Sequence, residues 1–399
     1  MCAGDARRLP AGQAGGAAAV KMRSGIPLRP GVQSEVREIN QRRIPRAMIT
    51  IGVDFSKRSS VYSVLDSEGK RVKRFKMENN PLLMKEFFED LSDEPKELTM
   101  EATGNWGLYY ETVKGYVDHF HLGHPLKMKA ITQSENKNDN NDADMIAKLT
   151  RSGFLPKAHI TSLGTRQLRS LLRFRLFMVR ERTALRNQIQ VLLDRNIWPC
   201  QRPGSFKNPL CQRGLVWLET LDLPDRERFI LDQALKSFSH LGKQISDIEK
   251  YVQTESLELP GTEYLRTVPG FHKSKVHIYT VLLEIDDITR FKKARNLAHY
   301  AGLIPREHSS GDKHRTGHLV KQANSHLRGA ILESVFGAIT KDKSLRTYYQ
   351  SVKLRRGSGP AIIATARKLS YAIYHVLKDR TCYKVLPSTT VSGPLTAEE

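Results

Sequence analysis

Cysteine is scarce in this chain. The four present, Cys2, Cys200, Cys211 and Cys382, are widely spaced and form no Cys-x-x-Cys pair. That excludes a disulfide framework and a zinc knuckle, and fits a reducing cytosol. Long apolar runs are missing too, so no transmembrane helix and no membrane partner is expected. The opening lacks a charged-then-apolar pattern, and residues 11–20 are Gly/Ala-rich and too weakly apolar to read as a secretory signal. Acidic residues are outnumbered, with 42 Asp and Glu against 64 Lys and Arg, a formal net charge of +22. A cationic excess of that size points to a polyanionic partner, because neutralising phosphates releases counterions. A merely solvated basic surface fits less well, since the basic residues cluster on particular segments. A cytoplasmic, nucleoid-associated location is the expectation.

The 399 residues suffice for two or three domains. Residues 1–47 are rich in Gly, Ala, Arg and Pro with no hydrophobic period. They read as disordered or as an over-extended start, with a basic arm on nucleic acid as the alternative. At Met48 the pattern changes. Residues 48–55, 61–66 and 71–77 read as strands, the last two joined by a tight turn at Asp66-Ser67-Glu68-Gly69. A helix at 81–92, opened by Asn80 and Pro81, precedes a strand at 97–102. A helix over 106–119, a strand near 121–128 and a helix from about 139 follow. Three antiparallel strands and then alternating strands and helices is the element order of an RNase H or RuvC-like α/β domain, here assigned to 48–160.

Residues 163–197 read as one long helix. It carries an apolar stripe including Leu168, Leu172, Ile189 and Leu193, and an opposite face with Arg169, Arg173 and Arg180. A second helix over 225–253 repeats the pattern, and the joint at 199–224 reads as irregular. The pair, within 161–255, is either an antiparallel coiled-coil arm for dimerisation or for gripping a duplex, or ordinary bundle helices with solvated arginines. Residues 256–380 read as a mainly α domain, followed by a flexible tail at 381–399. That domain opens on Thr267-Val268-Pro269-Gly270-Phe271, a turn between helices of the kind that presents backbone N–H groups to a phosphate.

Two constellations carry chemistry. Asp54 lies in the C-terminal half of the first strand and Glu101 ends the fourth, so adjacent central strands would set them side by side. Asp139 and Asp142 stand three residues apart on one face of the incoming helix. Converging carboxylates repel unless divalent cations neutralise them. Mg²⁺ suits oxygen ligands and phosphate, with Mn²⁺ as the alternative ion. Singly each residue is more often a turn or polar-loop residue, and it is the combination of order, strand placement and helical pair that favours a site. Asp144, two residues from Asp142, is a competitor that would face away from it. The second constellation is Ser309-Ser310-Gly311, expected in an irregular loop begun by Pro305 and surrounded by Lys313, Arg315, Lys321 and Arg328. An ordinary Ser-Ser-Gly turn is the plainer reading. The histidines at 308, 314, 318 and 326 lack cysteine or carboxylate at ligand spacing, and read as solvated or phosphate-facing.

The passages IGVDFSK, MEATG, KNDNNDA and AGLIPREHSSG with KQANSHLR behind it resemble the DEDD transposases of the IS-one-ten insertion-sequence family, the bridge-RNA-guided recombinases. The resemblance runs from about Met48 to Lys378. It implies a RuvC-like domain, a coiled-coil arm and a C-terminal transposase domain. It places the metal carboxylates on Asp54, Glu101, Asp139 and Asp142, and the nucleophilic serine on Ser310. It also implies donor and target DNA and a guide RNA as partners. Homodimers would join into tetramers, one subunit's carboxylates meeting another's serine. The chain departs from the pattern in its front extension, in KND where KTD is commoner, and in PGFHKSK at the helical turn. The expected activity is RNA-guided strand cleavage and exchange. The rivals are a junction-resolving nuclease using water on the same carboxylates, and a non-catalytic nucleic-acid scaffold.

Overall fold

The computed structural model describes residues 48–91, 94–131, 139–204, 208–255, 259–272, 275–310, 313–320 and 322–384. The chain divides at Ile160/Thr161 into two compact units.

The first unit is a six-stranded mixed sheet with helices. Its central strand, β1 (Ile49–Phe55), is apolar at Ile49, Ile51 and Val53, all fully buried. β2 (Ser59–Leu65) and β3 (Arg71–Glu78) follow as an antiparallel meander. The turn between them is the one read from the sequence. The Asp66 carboxylate accepts from the backbone N–H groups of Glu68 and Lys70 at 3.0 and 2.9 Å, and Gly69 takes φ +84°. Helix α1 (Pro81–Asp90) starts where Asn80 accepts from Leu82 N–H at 2.9 Å, with Pro81 at its first position. β4 (Lys96–Glu101) then returns parallel to β1. Helix α2 (Trp106–Val113) is shorter than its expected span, and β5 (His119–Gly123) lies earlier, because Pro125 opens another helix, α3 (Pro125–Ile131). Helix α4 (Asp139–Arg151) and the short β6 (Lys157–Ala158) complete the unit, and the sheet order is β3-β2-β1-β4-β5-β6. The core holds an aromatic group in which Tyr62 stacks on Phe75 at 5.1 Å and Phe87 packs against both.

The second unit is mostly helical. Helix α5 (Leu163–Asn196) begins where Ser162 accepts from Thr165 N–H. The joint that follows is not irregular throughout. It contains a 3-10 turn (Pro199–Gln201) and helix α6 (Gln212–Glu219), whose Leu218 is fully buried against Ile189 and Leu193 of α5. Helix α7 (Asp225–Glu255) runs back along α5. Arg175 pairs with Glu249 at 2.8 Å, Arg182 lies 5.8 Å from the Phe238 ring, and Arg195 reaches Glu227 at 3.6 Å. Rising numbers on one helix meet falling numbers on the other, so the two are antiparallel. At the opposite end Leu172 and Val252 join the same core as Val268, Phe271, Ile331 and Leu369. The helical pair is therefore continuous with the region that follows it rather than a body apart.

That region comprises α8 (Thr262–Thr267), α9 (Lys275–Ile285), α10 (Ala294–Tyr300), the hairpin β7 (Pro305–Ser310) and β8 (Lys313–Leu319), α11 (Ser325–Lys341), α12 (Lys343–Arg356) and α13 (Ser358–Lys378). The turn after α8 is folded inward. Gly270, at φ +95°, is so close to α11 that a Cβ there would lie 2.3 Å from the Ser334 carbonyl oxygen. Phe271 is fully buried, and its N–H donates to Val268 O. The phosphate role expected of this turn is not met by Phe271, whose N–H is already bonded.

Candidate active site

Alternation along β1 and its pairing with β4 place the first two carboxylates. The parallel register runs to Val53 opposite Met100, so Asp54 and Glu101 are the next residues on the two neighbouring strands. The two residues before them, Gly52 and Thr99, are themselves paired. Successive strand residues face opposite ways, so Asp54 shares the face of Gly52 and Glu101 that of Thr99. Gly52 identifies this face as the one covered by α4, because a Cβ there would lie 2.3 Å from Ala143 O and 2.5 Å from Ala147 N. Asp54 and Glu101 are both half-buried.

The direction of α4 brings its first turn to the same sheet edge. Its last residue, Arg151, donates to the Asp66 carbonyl at 3.1 Å, and it lines a hollow with Met48, Thr50 and Glu97 at the starts of β1 and β4. The opposite end of α4, with Asp139 and Asp142, thus lies toward the strand ends that carry Asp54 and Glu101. Asp139 is the first residue of the helix, with its side chain outside what is described, and Asp142 is half-buried. Carboxylates in a first helical turn also meet the positive end of the helix dipole. Among the described residues, no three His, Cys, Asp or Glu side chains are grouped closely enough to hold an ion. The donor set is nonetheless all carboxylate, the chemistry that hard divalent cations prefer.

Asp144 is separate from this group, as its spacing suggested, and has its own task. It is buried and ion-paired to Arg71 and to Arg74 (3.4 Å) on β3. The pairing pins α4 to the meander edge of the sheet.

Ser310 is the last residue of β7. Rather than an irregular loop, residues 305–319 form an antiparallel hairpin in which Ser309 opposes His314 and Ser310 opposes Lys313. Gly311 and Asp312 lie outside the described residues, as does Lys321. Lys313 stands on β8 opposite Ser310, and Arg315 opposite His308. Arg328, on α11, passes close to Gly302, the φ +69° residue that ends α10.

The arginines of α5 divide into two kinds. Arg173 makes two 2.8 Å bonds to the Glu284 carboxylate, and Arg169 donates to Leu283 O at 2.6 and 3.1 Å with Glu284 3.7 Å away. Glu284 is 2% exposed and also accepts from Asn324 at 2.8 Å. Burial pushes its carboxyl up, but the bonds from Arg173 and Asn324 and the charges of Arg173 and Arg169 outweigh this and hold it below the ordinary value. Arg169 and Arg173, candidate nucleic-acid contacts in the sequence, thus tie α5 to α9. Arg180 is exposed and has no such carboxylate among the described residues. Sequence reasoning missed Glu284, although a carboxylate inside the apolar run KVHIYTVLLEI was a signal for a buried partner.

Two family models match the chain. One, for DEDD transposases of the IS110 type and described as "Transposase", matches residues 51–198. The other, described as "Transposase IS116/IS110/IS902 family", matches residues 262–350. The first stretch contains the four carboxylates and the second the serine hairpin. The transposase for insertion sequence element IS1111A of Coxiella burnetii is 25% identical over 90% of this chain and 98% of its own length. A probable family 20 transposase of Pseudomonas aeruginosa is 23% identical over 75% of this chain and 89% of its own. An IS110 insertion-element protein of Streptomyces coelicolor is 30% identical over 31% of each. With more than half of its length matched by the two models, the chain belongs to the IS110 family of DEDD transposases. Among the described residues, no helix is long and apolar enough to cross a membrane.

Proposed function

We propose that this transposase cuts and rejoins DNA by phosphoryl transfer, with Asp54, Glu101, Asp139 and Asp142 as its carboxylate group and Ser310 as its nucleophile. The observation that carries the reading is the in-register placement of Asp54 and Glu101 on adjacent parallel strands, at the end toward which α4 presents its first turn. The mixed sheet of the unit bearing them, in the order β3-β2-β1-β4-β5-β6, is consistent with a RuvC-like domain and supports the reading. The carboxylates would hold Mg²⁺ or Mn²⁺, which would neutralise charge on the phosphoryl group and polarise it for attack.

The Ser310 hydroxyl oxygen attacks phosphorus. A serine O–P bond forms, the P–O3′ bond breaks, and the serine proton passes to the departing 3′-oxygen. Attack by another strand's 3′-hydroxyl on the same phosphorus reverses the step and releases the serine. One phosphoester replaces another, so rejoining needs no external energy source. Lys313 and Arg315, in the same hairpin as Ser310, and Lys321 and Arg328 supply cationic charge for the phosphodiester. The +22 net charge suits donor DNA, target DNA and a guide RNA on one protein. The resemblance to bridge-RNA-guided recombinases supports the guide and an assembly of homodimers into tetramers.

A denatured strand-cleavage reaction analysed by mass spectrometry tests the reading. DNA attached to Ser310, and its loss in Ser310→Ala, is the expected result. An adduct on Ser309 moves the nucleophile by one residue. Cleavage without any adduct makes the enzyme a hydrolytic nuclease and overturns the serine step.

A further inference from the structure

We propose that a cleft between α5, α9 and α11 binds one nucleotide of an unpaired nucleic-acid strand, its phosphate on Arg180 and His326. The cleft has a volume of about 680 Å³, within the ~300–1,000 Å³ range of small-molecule sites. A duplex cannot enter such a space, whereas a single nucleotide swung out of a strand can. Leu176 and Val179 of α5, Val276 and Leu283 of α9 and Ala330 of α11 make one wall apolar. A base can lie against that surface without regard to its identity.

The polar groups are unevenly satisfied, and the deficit locates the phosphate. Arg169 and Arg173 are held by Glu284, and Arg175 by Glu249. Glu333, the other carboxylate of the lining, stands 3.5 Å from His277 Nδ1. Arg180 therefore brings a positive charge that no carboxylate among the described residues balances. His326 Nδ1 is shielded from solvent and has no hydrogen-bond partner among the described residues. Turning the ring would bring this nitrogen into the cleft, where a phosphate oxygen could fill the bond it lacks. Burial, then the charge of Arg173, and also that of Arg180, hold the His326 pKa low against the opposing pull of Glu284. A neutral imidazole can donate one N–H to a phosphate oxygen. Ser325 and His326 also open the 17-residue α11, whose positive end favours an anion. Arg180, Thr183, Ala184 and Asn187 share one face of α5, which places the Asn187 amide where it can meet the rest of the nucleotide.

The inference rests on the family's action on nucleic acid and not on the roles of the carboxylates or Ser310, so cleavage-dead variants leave its test unaffected. The full-length protein is titrated with oligothymidylate, with oligouridylate of equal length and with a duplex of the same length. Arg180→Gln and His326→Gln should each weaken single-strand binding about five- to tenfold. Arg180→Gln should also reduce the single-strand salt slope by about 0.7. Duplex affinity should change less than about twofold, and Arg180→Lys should recover part of the loss. A loss confined to oligouridylate assigns the strand as RNA, one confined to oligothymidylate as DNA, and an equal loss makes the site indifferent to the sugar. Unchanged single-strand affinity in both variants, or an equal loss on duplex, overturns the proposal. A measurement independent of mutant folding uses the native protein and an arginine-selective dicarbonyl reagent. Oligonucleotide should protect Arg180 from modification, and equal labelling with and without it overturns the proposal.

Discussion

Gly52 has no room for a side chain, since backbone atoms of α4 lie within 2.5 Å of where its Cβ would be. The close approach seats the helix that brings Asp142 toward Asp54. Gly52→Val should therefore cost about 1–3 kcal/mol by overpacking. DNA cleavage should fall more steeply than thermal stability predicts, because α4 must lift from the strand. Asp54→Asn and Glu101→Gln should act differently, abolishing cleavage while Tm and nucleic-acid affinity stay near those of the parent. Full cleavage by both variants in Mg²⁺ would remove these two residues from the catalytic group. Their juxtaposition was legible because strand ends and parallel pairing follow from residue pattern. The task of Asp144 was not, since its partners Arg71 and Arg74 lie some seventy residues away on an edge strand, and no local period encodes that pairing.

Between elements, Glu284 of α9 is bound by the arginines of α5 and by Asn324. Its folded pKa is depressed, so the stability it contributes is complete above the ordinary value near 4.5 and is lost as pH falls through the depressed value. Glu284→Gln leaves Arg169 and Arg173 without their counter-charge and should destabilise the second unit by about 3–5 kcal/mol at neutral pH. The acid-side fall in Tm should also become shallower, and a parallel acid limb in the variant would show that other carboxylates set it. The two long helices of this unit were legible from apolar periodicity. The hairpin at 305–319 was not, because PREHSS and KHRTGHL have little apolar alternation. The dipeptide Gly311-Asp312 between the two runs was the available signal, a sequence suited to a tight turn.

At the scale of the whole molecule, charge dominates the expected behaviour. Affinity for DNA should fall by about three orders of magnitude or more between roughly 50 and 200 mM salt, as for a protein contacting six or more phosphates. A log–log slope shallower than about 3 would mean that most of the 64 Lys and Arg serve the fold, as Arg169 and Arg173 do.

The antiparallel pair of α5 and α7 fixes a length as well as a contact. Its cross-links at Arg175–Glu249 and Arg182–Phe238, one heptad apart on α5, lie on one seam, Arg195 reaches Glu227 further along, and α6 closes the far end against Leu193. Adding a single residue to α5 between Arg182 and Ile189 would turn everything beyond it by about 100°, swinging the seam away from α7. Adding seven residues to each helix at matched positions would nearly restore the seam and carry α6 about 10 Å further out. The pair thus behaves as a ruler graduated in heptads. Matched seven-residue insertions should fold and change only the span, whereas one-residue insertions should lose the far end.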